Sequence, residues 1–156
     1  GKTHVLVAAC IRAMLDEPGA IALLAAPTNK MLKMTVIPLI FALESKLEDI
    51  FNEGLDNRFA RHAALNDMVH GWVRKHGFDF FAPEGYRSKS LTCVKNSKEI
   101  DTAKLVSLMK KNHLMAIDGG YGKIKGTTFR LSNMGDETEA TINELIAALD
   151  DSMAKL

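Results

Sequence analysis

Cysteine is scarce: the 156 residues hold two, Cys10 and Cys93, far apart and without CxxC spacing. That excludes a disulfide framework and a cysteine-built zinc site, and both thiols read as reduced core residues of a cytoplasmic protein. An excess of either charge is also lacking. Lys and Arg total 20 against 19 Asp and Glu, so neither nucleic acid nor a membrane is expected as a partner. The longest apolar runs, residues 5–10 and 21–27, fall far short of the roughly 20 residues a bilayer span needs. No basic stretch with an apolar core and a cleavage site opens the sequence, so no secretory leader is expected. Neither HExxH nor GxSxG occurs, which removes the usual starting points for a zinc hydrolase and a serine hydrolase. His62, His70 and His76 fall on one expected helix at spacings of eight and six, which do not stack rings on adjacent turns. With His4 and His113 they read as core or surface histidines, and no metal site is expected.

What is present is the mix of a globular domain, 47% apolar and 25% charged. Residues 4–15 are apolar almost all round, which suits a buried helix, and Asp16-Glu17-Pro18-Gly19 stops it. Residues 21–26 read as a strand buried on both faces. Such a unit needs a parallel neighbour, and none is evident upstream, so this piece looks cut from something larger. From Pro38 onward Ile40, Leu43, Leu47, Ile50 and Phe51 repeat at helical spacing. Gly54 interrupts, and Leu55, Phe59, Leu65, Val69, Trp72, Val73 and His76 continue as a second amphipathic helix ended by Gly77. Residues 78–81 and 90–94 read as strands around a Pro83-Glu84-Gly85 turn. Asp101 caps a helix through Leu105, Leu108 and Met109. Residues 114–117 read as a strand, residues 119–122 as a flexible glycine turn, and residues 127–132 as a strand with Phe129 and Leu131 on one face. A capping box of Asp136 and Glu139 opens a last helix carrying Ile142, Leu145, Ile146, Leu149 and Met153. The sum is α+β: an antiparallel-rich sheet with helices packed on one face, preceded by a helix–strand segment.

Few residues carry chemistry. Lys110, Lys111, Lys123 and Lys125 surround the glycine turn, and with only Tyr121 as an aromatic they read as a solvated rim. Arg130 is mid-strand, on the face opposite Phe129 and Leu131. Facing water it is decoration; facing a second domain it is a fork suited to a carboxylate. Residue types alone leave both open.

Four blocks carry a resemblance. GLDNRFAR at 54–61, EGYRS at 84–88, GGYGKIKG at 119–126 and TFRLSNMGDETE at 128–139 resemble, in that order, the C-terminal small domain of class V aminotransferases, nearest the alanine–glyoxylate and serine–glyoxylate type. The resemblance covers residues 34–156. It implies a homodimeric transaminase using pyridoxal phosphate on small amino acids and 2-oxo acids, with Arg130 holding the substrate carboxylate. The cofactor supplies the carbanion chemistry, and the family keeps the Schiff-base lysine in its larger domain. Lys2, Lys30 and Lys33 have no matching context, so this chain is expected to bind no cofactor alone.

Residues 1–33 resemble something else. GKTHVLVAACIRAML followed by IALLAAPTNK is similar to the Walker A helix and next strand of superfamily-one helicases, where Lys2 and Thr3 would meet phosphate and magnesium. The glycine-rich half of that loop and the later acidic block are missing. The expectation is therefore a composite chain. Its function is either that of an incomplete transaminase small domain or that of a non-catalytic folded module able to dimerise, and a nucleotide-binding fragment is the third reading.

Overall fold

The computed structural model describes Met34 and residues 37–156. The helix expected at 4–15, the strand at 21–26, and Lys2 and Thr3 lie outside the described residues. The chain divides into two compact units, Gly1–Leu55 and Asp56–Leu156.

In the first unit, α1 (Ile37–Glu53) starts with Pro38 in its first turn, where the missing N–H costs nothing. Ile40, Leu43, Leu47 and Ile50 are half-buried along its stripe, whereas Phe51 is exposed. The Gly54 N–H closes the helix on the Ile50 carbonyl at 3.0 Å, in a left-handed conformation (φ 81°) that glycine takes without strain.

In the second unit, which takes in α2 (Leu55–Lys75) from Asp56 onward, that helix ends as the sequence predicts. Gly77 at φ 65° lets its own N–H reach the Arg74 carbonyl and the Phe78 N–H reach Val73, both at 3.0 Å. This double closure satisfies carbonyls that the helix end would otherwise orphan. The burial of α2 begins later than its sequence stripe suggests. Leu65, Val69, Trp72 and Val73 are buried, but Leu55 and Phe59 are 54% and 66% exposed.

Three strands follow: β1 (Asp79–Phe80), β2 (Leu91–Lys95) and β3 (Thr128–Ser132), antiparallel in the order β1-β2-β3. Phe80 faces Val94, Val94 faces Phe129, and Thr92 faces Leu131. Period-two alternation places these on one side of the sheet, with Cys93 and Arg130 paired on the other. Against the first side pack α2, α3 (Thr102–His113) and α4 (Glu139–Met153), which contribute Leu105, Met109, Ile142, Ala148 and Leu149 to one core with Phe129 and Leu131. Aromatic rings interlock at its centre: Phe78 meets Phe129 edge-on at 5.4 Å and lies near Trp72 at 6.0 Å. The expected α+β arrangement, with helices on one sheet face, is what forms.

Two local expectations are corrected. Residues 114–117 are not a strand. Leu114 is used up as the left-handed C-cap of α3 (φ 56°), its side chain 92% exposed. The chain then gains only a single bridge to β3, at Asp118, before Gly119-Gly120 turns it away. The cap of α4 is also displaced. Thr138, not Asp136, is the N-cap, and its partner is Thr141: the Thr141 N–H donates to Thr138 Oγ1 and the Thr138 N–H to Thr141 Oγ1 at 2.9 Å. Asp101 caps α3 as expected, accepting from the Lys104 N–H at 2.9 Å.

Candidate functional site

Arg130 is the residue around which a site is built. Its position on β3 turns it from the core, and the bridge to Asp118 brings a carboxylate alongside: the Arg130 N–H donates to the Asp118 carbonyl at 2.7 Å. The side chains then meet, Nη2 of Arg130 lying 2.9 Å from Oδ2 of Asp118. The other carboxylate oxygen accepts the Gly120 N–H at 2.6 Å. Tyr121 completes the clamp, its ring 4.4 Å from the guanidinium carbon. The Arg130 hydrogen bond, with help from the Gly120 N–H, holds the Asp118 carboxyl below its usual range, and the same contact pushes the guanidinium higher still. Arg130 is therefore a fixed cation, half-buried on the strand. Its Nε is screened from water and has no hydrogen-bond acceptor, an unmet demand that costs free energy until something supplies one.

The glycine turn behind it is closed. The Gly126 N–H donates to the Gly119 carbonyl at 3.1 Å, and a 3₁₀ turn (Gly122–Ile124) fills the loop. Gly120 is obligatory there: at φ 84°, a Cβ would sit 2.5 Å from Thr128 Oγ1 and 2.7 Å from the Ile124 carbonyl oxygen. Asp118 escaped the sequence reading. The signal available was an acidic residue directly before a Gly-Gly turn, but its partner could be known only from the bridge.

The other candidates separate from this site. Cys93 pairs across the sheet from Arg130, and burial pushes its thiol up, away from nucleophilic use. His62 bonds the Asn133 carbonyl, His76 and His113 sit 2.9 Å from Asp150 and Asp151, and buried His70 meets the Phe80 ring. Among the described residues no His, Cys, Asp or Glu cluster is fit to hold a metal. Lys110, Lys111, Lys123 and Lys125 are exposed. No described helix is long and apolar enough to cross a membrane.

The remaining sequence blocks act on one another. Arg61, from the first block, donates to the carbonyls of Glu137 (2.6 Å) and Gly135 in the loop after β3. Asn133, in the fourth block, is fully buried: its side-chain amide donates to the His62 and Lys89 carbonyls at 3.1 and 3.0 Å, and its N–H to Ser90 at 3.0 Å. These contacts fix where β3 ends, and with it the frame that carries Arg130.

No protein-family model matches the chain. The serine–glyoxylate aminotransferase of Methylorubrum extorquens is 28% identical over 129 residues, which are 81% of this chain and 32% of that protein. The L-aspartate–glyoxylate aminotransferase of Paracoccus denitrificans is 33% identical over 122 residues, 77% of this chain and 31% of that protein. Among solved structures, the alanine–glyoxylate aminotransferase of Nostoc sp. superposes with a TM-score of 0.72 at 23% identity, covering 92% of this chain and 36% of that one. The fold is thus that of an aminotransferase small domain, and the chain is similar to glyoxylate aminotransferases of which it spans about a third of the length.

Proposed function

We propose that residues 34–156 are the small-domain portion of a pyridoxal-phosphate aminotransferase acting on small amino acids and 2-oxo acids, and that Arg130 holds the substrate carboxylate. One observation carries this reading: Arg130 is clamped by Asp118 and Tyr121 on the sheet face opposite the core, and its side chain is still 24% exposed with Nε lacking an acceptor. A carboxylate has two oxygens to offer such a fork. Support comes from relatives whose names specify serine, aspartate and alanine with glyoxylate. The described residues do not fit the cofactor itself. Every described lysine is exposed, a setting for a solvated ammonium rather than for an amine poised to lose its proton. Binding and orienting the acid is therefore the task assigned to this region, and the cofactor and the second subunit of a homodimer belong to the assembled enzyme. Lys2 and Thr3, the basis of the helicase-like reading, have no described geometry, and the aminotransferase reading is the one carried forward.

Two titrations of the purified chain test it. In the first, pyruvate is added to ¹⁵N-labelled protein while the Arg130 Nε–H signal is followed, with acetamide as the uncharged control. A saturable shift with pyruvate alone is expected; identical responses to both would refute the carboxylate role. In the second, pyridoxal phosphate is added, reduced with borohydride and mapped by peptide mass. Scattered trace labelling is expected. A stoichiometric adduct on one lysine, with an absorbance change on adding alanine, would overturn the assignment of the cofactor site elsewhere.

A further inference from the structure

A second polar site lies on the helix side of the sheet, away from Arg130. A cavity of 230 Å³ opens between the last turns of α2 and the loop at residues 84–89, lined by His70 and Arg74 on one side and Arg87 and Lys89 on the other. Two features make it more than a surface dent.

The first is that its two arginines are held in place. Phe80 lies beneath both guanidinium groups, 4.0 Å from that of Arg87 and 5.6 Å from that of Arg74. The ring fixes them by cation–π attraction, and the Ala82 carbonyl takes Arg87 Nε at 3.2 Å. The Nη edge of Arg87 is thereby left for another acceptor. Among the described residues, none of Arg74, Arg87 and Lys89 forms an ion pair.

The second is the local field. Asp67 and Glu84 also line the cavity, so the balance of sign has to be settled at a particular atom. His70, only 7% exposed, reports it. Its pKa is lowered first by burial and then by Arg74 and Arg87, and the opposing effect of Asp67 is smaller than theirs. At the inner wall the cations outweigh Asp67 and favour the neutral imidazole, which carries one N–H.

We propose that this cavity binds a phosphate group, with Arg74, Arg87 and Lys89 holding its oxygens and His70 donating from the inner wall. The volume is below the roughly 300–1,000 Å³ of pockets that enclose drug-sized ligands, so the site takes the phosphate of a small phosphorylated molecule and leaves the rest outside. Phosphate fits better than carboxylate: three cations approaching from two walls match an anion with charge spread over several oxygens, whereas a carboxylate is flat and filled by one fork. The site is independent of the Arg130 reading.

Inorganic phosphate is the probe. The ¹⁵N-labelled chain is titrated at constant ionic strength against chloride, so that general screening cancels, and His70 ring signals are followed against pH. Saturable shifts at His70 and Lys89 are expected, together with a rise in the His70 titration midpoint, since a bound anion favours the imidazolium. Arg74→Gln and Arg87→Gln should each raise the Kd about tenfold, the low end for a charge-assisted hydrogen bond at a half-open site. Lys155→Gln, just past the end of α4, paired with Asp151 and outside the cavity lining, should leave it unchanged, and thermal melts confirm that each variant is folded. Shifts that grow linearly without saturating, or a Kd that ignores both arginine variants, would overturn the proposal.

Discussion

Replacing Gly120 by alanine separates two costs that are usually confounded. At φ 84°, any residue with a Cβ pays for the left-handed conformation, about 1–2 kcal/mol. Gly122, two residues on, has φ 54° but nothing within 4 Å of a built Cβ. Gly122→Ala therefore measures the conformational cost alone. Gly120→Ala adds contact: the Cβ would come within 2.5 Å of Thr128 Oγ1 and 2.7 Å of the Ile124 carbonyl oxygen. Thr128 is fully buried and its hydroxyl is bonded to that same carbonyl at 3.0 Å, so neither atom can simply swing aside. Overpacking of this kind costs about a further 1–3 kcal/mol. The expected loss is about 2–5 kcal/mol for Gly120→Ala against about 1–2 for Gly122→Ala, from urea unfolding monitored by the single tryptophan, Trp72. The same shift would move the Gly120 N–H that holds Asp118, so the Arg130 Nε–H signal should move in Gly120→Ala and stay in place in Gly122→Ala. Equal destabilisation by the two variants would refute the claim that this turn is closed by packing.

Two further outcomes follow from single side chains. Asn133→Ala removes both amide donors from the His62 and Lys89 carbonyls inside a fully buried site; urea unfolding should show a loss of about 2–4 kcal/mol, and a loss under 1 would mean that water replaces the amide. Asp151 has its pKa lowered from 3.8 by Lys155 and then by His113. Its contribution is complete above the unfolded value and disappears as pH falls through the lower folded value. The stability gap between wild type and Asp151→Asn, measured by urea unfolding at several pH values, should narrow as pH falls from about 5 toward 2; a gap that widens over that range contradicts the pairing.

How much was legible in the sequence depended on whether the signal was local. The stop of α2 at Gly77, the Asp101 cap and the Phe129/Leu131 face are each set by a residue and its near neighbours, and each formed as read. The strand expected at 114–117 failed because apolar character specifies burial, not pairing: half-buried Met115 and Ile117 pack against the core without a ladder. The α4 cap failed because two hydroxyls three apart, Thr138 and Thr141, answered each other better than the acidic pair. Arg130 was singled out by its place in mid-strand and by a motif, while Asp118 was missed, since nothing in its neighbourhood reveals a partner twelve residues on. His70 and Arg74 were read only as parts of a helix for the same reason. Phe80, the ring that gathers two arginines beside them, comes from a two-residue strand.

The four sequence blocks also show why similarity to transaminases can be strong here while catalysis is not implied by it. Arg61 of the first block and Asn133 of the fourth spend their donors on backbone carbonyls, and Arg87 of the second spends its Nε on Ala82. The glycines of the third shape the turn that presents Asp118. Among these matched positions, Arg130 holds its charge on the sheet face opposite the core, clamped by Asp118 and Tyr121. Most of the resemblance thus records how a small domain holds one arginine still. Fixing a guanidinium in advance lowers the ordering cost of binding an acid, and that service is useful only where a reacting group is held opposite. A chain with this scaffold should therefore bind a carboxylate weakly, and its described lysines, all exposed, supply no amine poised to form a Schiff base. Pyruvate titration without transamination of alanine is the expected pair of results, and measurable alanine consumption by this chain alone would break the link argued between the two.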